Sequence, residues 1–302
     1  MSFSENGQVK LSIVIAAWNG VEMLRECLIS LENQIESANA EIIVVSNFAN
    51  GIEKNASEFP FARHIILPAD ATLPELRARG IFESNGAIIA LGEDICAFDS
   101  DWCREILKAH ESKYSIVGGA VENAGKQNSL DWAVYFYDYG KYMPPNQARI
   151  IDALSEMNIS YKREILERLR ENYADGFFET FINEELKRRG YELYLQPSAI
   201  VFHRKNYELR KVVSQFYHQA RSFAARRVFN FPFSKRLFFI AASLLLPVLL
   251  PVRVISRTIG KGRRFGKLII SLPYLVILTS VWAFGEFCGY LNDEGTSGRD
   301  WK

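Results

Sequence analysis

Three acidic positions and one histidine stand where a folded α/β chain presents reactive groups. Residues 86–94 form an apolar run that stops at two adjacent carboxylates, Glu93 and Asp94. Glu179 precedes a charged helix pattern, and His203 closes a later apolar strand pattern. Carboxylates and imidazoles are the side chains that bind divalent metals and act as general bases. The pattern therefore predicts an enzyme that acts on a phosphorylated donor.

The elements that must position these groups alternate between strand and helix patterns. Apolar runs predict buried parallel strands at Leu11–Ala17, Glu41–Val45 and Ala87–Leu91. Helical periodicity intervenes at Val21–Gln34 and Leu73–Ser84. This alternation predicts βαβ units and a mostly parallel sheet, with ligand loops at the carboxyl ends of the strands. The predicted fold class is therefore α/β.

The next part of the chain reads as the second half of the same domain. The aromatic segment Trp132–Tyr142, which a Pro-Pro pair follows, predicts a loop or a lid. Amphipathic helix candidates lie at Lys162–Asn172 and Thr180–Arg189, and Gly190 stands where a helix C-cap is expected. Strand character then resumes at Tyr191–Leu195.

Charge divides the chain into two parts. Residues 1–200 carry 19 Lys and Arg against 30 Asp and Glu, whereas residues 201–302 carry 17 against 5. The basic part also holds the longest apolar runs, which favours a membrane surface as its partner. Nucleic acid is disfavoured because the basic residues flank apolar segments rather than exposed aromatic platforms. The four cysteines show no metal-ligand spacing and read as reduced thiols of a cytoplasmic domain.

These differences predict an α/β domain at residues 1–204 and a basic, apolar, membrane-associated region at 205–302. The second region holds two apolar segments, 237–252 and 268–291. About 20 apolar residues are needed to cross a bilayer, so the second segment is long enough and the first is short. Proline interrupts both segments.

The stretch between the two segments is strongly basic. It holds six Lys and Arg and no acid from Arg253 to Lys267. If both segments crossed the bilayer, this loop would lie outside, against the positive-inside tendency. We therefore expect the first segment to be re-entrant or interfacial, with the basic loop at the anionic cytoplasmic leaflet. The alternative is a soluble helical hairpin that covers a hydrophobic groove.

Several short motifs follow one another in a recognisable order: Leu-Ser-Ile-Val-Ile-Ala-Ala-Trp-Asn-Gly, Glu-Ile-Ile-Val-Val, Leu-Arg-Ala-Arg-Gly, the acidic strand end, Gly-Gly-Ala-Val-Glu-Asn, Phe-Phe-Glu-Thr-Phe and Pro-Ser-Ala-Ile-Val-Phe-His. Together they resemble family 2 glycosyltransferases of the GT-A fold, over residues 10–204. The C-terminal apolar pair is similar to that of membrane-associated members. The resemblance implies transfer of a sugar from a nucleotide-diphosphate sugar, with inversion at the anomeric carbon.

Such a transfer needs positive charge for the leaving diphosphate and a base for the attacking hydroxyl. By resemblance, Asp94 matches the last position of an Asp-x-Asp element and would bind Mg²⁺ or Mn²⁺, although Gly92 replaces the first Asp. Glu179 falls where the family carries its general base, usually an Asp. The alternatives are a solvated turn or helix cap at Asp94, and an ordinary helix-N-terminal acid at Glu179.

The resemblance also assigns donor contacts. Arg77 matches the Arg of an Ala-Arg-Asn-x-Gly element that helps hold the nucleotide, and Glu93 would support donor or ribose contacts. His203 matches a position that in some relatives helps bind the metal or the diphosphate. The alternatives are roles without function: an arginine on a helix surface at position 77 and a structural histidine at position 203.

The expected nucleotide-base pocket departs from the family pattern. Relatives place an Asp just after the second strand, where this chain has Ser46 and Asn47. Ala17 and Trp18 of the first loop are expected to form the wall of the pocket, although Trp18 could equally be a core aromatic. Hydroxyl and amide groups can still pair with a base.

These inferences predict a membrane-associated inverting glycosyltransferase of the inner or plasma membrane, with its catalytic domain facing the cytoplasm. The donor is a nucleotide-diphosphate sugar, and the acceptor is lipid-linked or a membrane-proximal glycan, such as a cell-envelope polysaccharide. One alternative is a catalytically degenerate membrane scaffold or partner subunit. The other is a nucleotidyltransferase, which would ordinarily show a Gly-rich, basic phosphate loop after the first strand.

Overall fold

The computed structural model describes residues 9–125 and 128–300, which fold as two compact units. The first, which we name the sheet unit, runs up to Glu122 and includes Tyr142–Arg204. The second, the helical unit, consists of Asn123–Lys141 and the chain from Lys205 onward. The helical unit thus takes one segment from within the predicted first domain.

Nine strands of the described residues form one mixed sheet: β1 (Leu11–Ala17), β2 (Ala40–Ser46), β3 (Ala62–Ile66), β4 (Ile88–Glu93), β5 (Cys96–Phe98), β6 (Ile116–Asn123), β7 (Arg149–Ile151), β8 (Ile159–Lys162) and β9 (Leu193–His203). Their order is β3-β2-β1-β4-β8-β6-β9-β5, and β7 also pairs with β9. The first four strands pair in parallel, and β8 lies antiparallel between β4 and β6. This confirms the predicted α/β class.

The helices of the described residues are α1 (Val21–Glu32), α2 (Ile35–Ala38), α3 (Ile52–Glu58), α4 (Leu73–Glu83), α5 (Trp102–His110), α6 (Ser129–Asp138), α7 (Arg163–Glu167), α8 (Glu179–Arg188), α9 (Leu209–Val228), α10 (Phe233–Ser243), α11 (Leu246–Gly260), α12 (Phe265–Leu291) and α13 (Ser297–Asp300). Helices α6 and α9–α13 belong to the helical unit. The predicted helix at Lys162–Asn172 is shorter than expected, because β8 extends to Lys162 and only α7 and a 3-10 turn at Arg170–Tyr173 follow.

The centre of the parallel part is β1, whose residues are all buried. A strand covered on both faces must be apolar throughout, which its sequence satisfies. The register sets Ala17 opposite Ser46 on β2, and Ala16 opposite Glu93 on β4. The carboxyl ends of these three strands therefore meet at one edge of the sheet.

Helix α4 lies close against this edge. It begins with a capping box, in which the Thr72 backbone N–H donates to Glu75 Oε2 at 2.6 Å. A side chain at Gly80 would place its Cβ 2.2 Å from Val14 Cγ1, so only glycine allows this close packing on β1. Arg77, nearly one turn earlier, consequently reaches the carboxyl end of β4.

A buried ion pair joins α4 to β4. Arg77 Nη2 lies 2.7 Å from Glu93 Oε1, and the two side chains are only 4% and 5% exposed. A charge this deeply buried is tolerated only when it is paired. The pair therefore fixes where both side chains lie at the sheet edge.

The chain entering β8 is fixed by Asn158. Its Nδ2 donates to Ala120 O and Ala199 O at 2.8 and 2.9 Å, and its Oδ1 accepts from Trp102 Nε1 at 2.9 Å. These contacts tie the start of β8 to β6, β9 and α5. Because β8 runs antiparallel to β4, the residues just before β8 come to the same edge as the end of β4.

The prediction of a loop or lid at Trp132–Tyr142 is wrong for most of that segment, because α6 occupies Ser129–Asp138. Asn128 caps the helix by accepting a 2.8 Å hydrogen bond from the Asp131 backbone N–H. Trp132 and Phe136, four residues apart, are fully buried. Burial of this aromatic face outweighs the modest helix propensity of its residues.

In the helical unit, α9 and α12 pack with their backbones in close approach. A Cβ at Gly285 would lie 2.6 Å from Tyr217 O, and one at Gly289 would lie 2.3 Å from Arg221 O and 2.7 Å from Ala224 Cβ. Residue numbers rise together on the two helices, so they run parallel. Small residues at a four-residue spacing allow this approach.

In the described part of the chain, the helical unit contains one helix and one bent helix pair that are long and apolar enough to be tested as membrane spans. Within the described residues, α12 is long and apolar enough to cross a bilayer by length and composition. Helices α10 and α11 pass the same test only as a pair, and they meet at a 64° bend. The finding favours membrane association of this unit.

Gly289 is tightly packed and Gly266 is not, so we expect replacement by alanine to affect the stability of the protein differently at the two positions. We expect Gly289→Ala to lower the melting temperature of the detergent-purified protein, because overpacking a tight contact costs about 1–3 kcal/mol. Gly266→Ala in the same helix meets nothing within 4 Å and gains helix propensity, so it should leave the melting temperature unchanged or raise it. Equal shifts in the two variants would contradict the described packing.

The Arg77–Glu93 pair predicts strong non-additivity. Arg77→Met or Glu93→Met alone should lower the free energy of unfolding by about 3–5 kcal/mol, because each leaves one buried charge unpaired. The double variant should lose less than the sum of the two. A matched surface pair, Arg25 and Glu58, has Nε and Oε2 3.1 Å apart, and Arg25→Met should change the free energy of unfolding far less than either buried substitution. Additive losses at positions 77 and 93 would show that the pair is not coupled.

Candidate active site

The expected base-pocket residues lie together at the ends of β1 and β2. The Asn47 backbone N–H donates to Ala17 O at 3.4 Å, and Asn47 Nδ2 donates to Ala71 O at 3.0 Å. Ser46 Oγ donates to Phe48 O at 2.9 Å. Trp18 continues directly from Ala17 and is partly exposed. The structure thus brings all four residues of the predicted pocket wall to one edge.

Asp94 holds the loop after β1. Its Oδ2 accepts hydrogen bonds from the Trp18 and Asn19 backbone N–H groups at 2.9 and 2.6 Å, and its Oδ1 accepts from Asn19 Nδ2 at 2.8 Å. The side chain is 1% exposed. One carboxylate therefore joins the ends of β1 and β4 and fixes the conformation of the loop that follows β1.

The charge of Asp94 is disfavoured in this environment. Burial raises its pKa to about 6, although the hydrogen bonds from Asn19 and Trp18 act in the opposite direction. The nearby charge of Glu93 raises it further. A cation bound at this carboxylate would offset the cost of keeping it ionised.

A cluster of carboxylates surrounds Arg77. Burial lowers the pKa of Arg77, but the charges of Glu93, Glu156 and Glu179 outweigh that effect and the pKa is raised. Arg77 is buried, so it is not a surface helix arginine. Its Nε–H is buried and has no hydrogen-bond partner among the described residues, which leaves this donor for a ligand.

Glu179 begins α8 beside the start of α4. The Phe177 backbone N–H donates to Pro74 O at 2.8 Å, which brings the segment before α8 onto α4. Glu179 Oε1 accepts from Thr180 Oγ1 at 2.7 Å. Glu179 is partly exposed, and the N-terminus of a helix favours a negative charge. Its carboxylate is therefore accessible to a ligand while remaining within electrostatic reach of Arg77.

Glu156 is a member of the cluster that the sequence reading missed. Burial and the nearby charge of Glu179 raise the pKa of Glu156 to about 8, and the charge of Arg77 lowers it only in part. It stands in the turn before β8, whose antiparallel register sets Ile159 opposite Leu91. No motif marks this position, because only the topology shows that the turn reaches the end of β4.

His203 lies at the end of β9 and is buried. The register of β5 and β9 sets it opposite Cys96, two residues beyond Asp94. The adjoining Arg204 donates its backbone N–H to Ile95 O at 3.0 Å and forms an ion pair with Glu26. His203 is thus close in the sheet to the predicted metal-binding position, whereas Arg204 is engaged by protein groups.

Gly92 faces apolar side chains. A Cβ at this position would lie 2.8 Å from Phe98 Cζ and 3.0 Å from Ile15 Cδ1. An aspartate here would bury its carboxylate against the core, at high cost. The missing first acid of the Asp-x-Asp element therefore has a packing reason.

The cysteines are free thiols. Burial raises the pKa of Cys27 and Cys96 well above the usual range, and the charge of Asp94 adds to the effect at Cys27. Cys27 Sγ lies 3.6 Å from Glu93 O. Such thiols are inert structural residues rather than nucleophiles or metal ligands.

The residues present fit one kind of metal binding. Across residues 9–125 and 128–300, no group of three or more His, Cys, Asp or Glu side chains could hold an ion. The two oxygens of Asp94 accept three hydrogen bonds, and a carboxylate has about four acceptor positions. A fourth acceptor position on this buried carboxylate would suit a cation that takes its other ligands from a diphosphate and water, as Mg²⁺ usually does.

The arrangement can hold an anionic ligand and move a proton. The Arg77 Nε–H could neutralise charge on a ligand. Glu156, whose pKa is raised, and the accessible carboxyl group of Glu179 lie in the same cluster. Carboxyl groups at one site are suited to general acid–base chemistry.

Comparisons with known proteins agree with this geometry. The family model described as Glycosyl transferase family 2 matches residues 12–170, more than half of the chain. No curated protein matches the chain. Among 249 matching chains of solved structures is a crystal structure of GalNAc-T7 with UDP, GalNAc and Mn²⁺.

That structure has a TM-score of 0.50 and 12% sequence identity, and the match covers 68% of this chain and 45% of the other. The present chain therefore matches less than half of the length of that protein. The likeness confirms the predicted GT-A-type fold, and the family match confirms the predicted family. The chain belongs to glycosyl transferase family 2.

Proposed function

We propose that this protein is an inverting glycosyltransferase that moves a sugar from a nucleotide-diphosphate sugar to an acceptor hydroxyl. The observation that carries the proposal is the cluster around Arg77, which gathers Glu93, Glu156 and Glu179 at the carboxyl edge of a family 2 sheet. Open α/β sheets bind their ligands at this edge. The nucleotidyltransferase alternative has no support from the family match.

In this proposal the donor lies along the ends of β1 and β2. Ala17 and Trp18 form one wall of the base pocket, and Asn47 offers its side-chain oxygen toward the base. The buried Ser46 hydroxyl donates to Phe48 O and supports this loop. Arg77 directs its buried Nε–H at the donor, and Glu93 holds the arginine in place. The UDP bound to GalNAc-T7 supports a nucleotide-sugar donor for this chain as well.

We further propose that Asp94 holds a divalent cation, Mg²⁺ or Mn²⁺, and that His203 is the second candidate ligand. The Mn²⁺ of the GalNAc-T7 structure is consistent with divalent metal use in this fold. When bound, the cation would offset negative charge on the leaving diphosphate. A fourth acceptor position on Asp94 would suit a cation held mainly by the donor.

Glu179 is proposed as the base that takes the proton from the acceptor hydroxyl. The attack must come from the face opposite the leaving diphosphate, which requires a carboxylate separate from the donor-binding groups. Glu156 keeps its proton at neutral pH, because its pKa is raised to about 8. It is then a hydrogen-bond donor beside Glu179 and positions the acceptor or the base.

The acceptor is proposed to be lipid-linked or a membrane-proximal glycan, such as a cell-envelope polysaccharide. Large apolar side chains are exposed on the helical unit, including Phe233, Phe238 and Leu244. Exposed apolar patches of this kind mark an interaction with lipid or protein. We propose an inner or plasma membrane location with the sheet unit in the cytoplasm, where nucleotide sugars are available.

A second candidate is a catalytically degenerate scaffold or partner subunit at the membrane. The packing of Gly92 against Phe98 favours it, because the position cannot supply the first acid of the Asp-x-Asp element. A chain of this kind would bind a nucleotide without transferring a sugar.

Substitution at the two glutamates separates their proposed roles. We expect Glu179→Gln to lower kcat by about 10²–10⁴, which is the usual contribution of a general base, while nucleotide affinity stays unchanged. Glu156→Gln should keep activity within a few fold at pH 7, because Gln replaces a carboxyl group that is protonated there. Above about pH 8 the wild-type Glu156 ionises and the two enzymes should diverge.

The measurement is the transfer rate with a nucleotide-sugar panel at pH 7 and pH 9, together with nucleotide affinity. Glu184→Gln is the matched control, because this exposed residue lies on the same helix α8. Near-wild-type turnover of Glu179→Gln would show that another group is the base. Nucleotide binding without transfer by the wild type would support the scaffold.

A further inference from the structure

Helix α12 has the length of a membrane span, but a basic helix lies along much of it. Phe216 and Trp282 have ring centroids 6.0 Å apart, and Arg221 O lies next to Gly289. The two helices run parallel, so counting back seven residues from Phe216 and Trp282 places Leu209, the first residue of α9, beside Leu275 of α12. Only residues 265–274 of α12 then extend beyond α9.

The chemistry of α9 is incompatible with a hydrocarbon surrounding. It carries five basic side chains, of which four are exposed and one is partly buried: Arg210, Lys211, Arg221, Arg226 and Arg227. A bilayer crossing by α12 would draw this helix into the membrane with it, and Lys and Arg strongly disfavour that position. The part of α12 beyond α9 is only about 15 Å long, half the thickness of a hydrocarbon core.

The other end of α12 is held to helix α6 by two basic side chains. Arg264 Cζ and Lys267 Nζ lie 5.5 and 5.9 Å from the centroid of the buried Trp132 ring on α6. Asp131, next to Trp132, accepts a hydrogen bond from the Tyr207 backbone N–H at 2.9 Å. The chain that leads into α9 is therefore joined to the same short helix as the basic segment before α12. A crossing would have to separate these groups or bury them in lipid.

Large apolar side chains are exposed on α10, α11, the turn between them and α12, among them Phe233, Phe238, Leu244, Leu249, Phe265 and Ile270. We name this set the apolar face. Phe284 and Leu291 in the second half of α12 are exposed as well. The 64° bend between α10 and α11 prevents the pair from forming one straight span.

Charge complementarity identifies what covers this face. The segment from Arg253 to Lys267 covers the end of α11 and the start of α12, and it carries six basic residues and no acid. An apolar face bordered by Lys and Arg is the pattern of a helix that lies in the interface of an anionic bilayer. A protein partner would need a matching acidic rim around an apolar groove, which makes it an outcome for the test.

We propose that the helical unit docks on one leaflet of an anionic phospholipid bilayer, with the apolar face inserted and the basic segment at the headgroups, and that α12 does not cross. The basic segment and the chain after α12 then lie on the same side of the membrane. This proposal rests on the helical unit alone and is independent of the proposed sugar transfer.

Sidedness is tested in membranes of cells that express the full chain. Arg263→Cys in the basic segment and Thr296→Cys after α12 are made in a Cys288→Ser background, since the other cysteines are buried. A membrane-impermeant maleimide is applied to right-side-out spheroplasts and to inside-out vesicles, with detergent-opened samples as the reference for full labelling. We expect both positions to react in the same preparation. Reaction on opposite sides would show that α12 crosses and would overturn the proposal.

The lipid partner is tested by flotation of the purified protein with vesicles. We expect at least tenfold more protein to float with phosphatidylglycerol–phosphatidylcholine vesicles than with phosphatidylcholine alone, and Arg263→Gln/Arg264→Gln to reduce the difference. Arg104→Gln, an exposed change on the sheet unit, is the matched control and should have no effect. Equal flotation with both lipids would overturn the anionic partner. Failure to float with either lipid would overturn membrane docking and favour a protein partner.

Discussion

The buried carboxylate of Asp94 is the contact on which the shape of the site depends. It accepts three hydrogen bonds from Trp18 and Asn19, so the conformation of the loop after β1 depends on this carboxylate. The same loop begins the expected base pocket, and the same strand end carries Glu93. A single side chain thus couples the loop of the proposed base pocket to the acidic end of β4. Burial makes its charge costly, which is a reason for a cation to bind there.

Arg77 organises the remaining charges. Glycine at position 80 lets α4 approach β1, and the arginine then reaches the acids that β4, the turn before β8 and the start of α8 bring to the edge. One positive charge among three glutamates leaves an excess of negative charge, and this excess contributes to the raised pKa of Glu156. Glu156 and Glu179 also differ in position, because Glu156 lies in the turn before β8 and Glu179 begins α8.

Local patterns in the chain predict the residues at strand ends well, because apolar runs end where the polar edge begins. Such a pattern predicts Glu93 and Asp94, whereas only the family resemblance points to Arg77. The structure pairs Arg77 with Glu93. Glu156 could not be found in this way, since it reaches the edge only through the antiparallel pairing of β8 with β4. The sequence predicts a loop or lid at 132–142 because it does not identify the surface of the same chain against which the aromatic residues of α6 pack.

The most direct test of the central claim is nucleotide binding by the detergent-purified protein. Calorimetric titration with UDP, GDP, CMP and dTDP, with and without Mn²⁺, should show one nucleotide that binds in a metal-dependent manner. Asp94→Ala, with folding checked by circular dichroism, should lose that binding, because it removes both the proposed metal ligand and the anchor of the Trp18 loop. If well-folded wild-type protein bound none of the four nucleotides, this sheet edge would not be a nucleotide-sugar site.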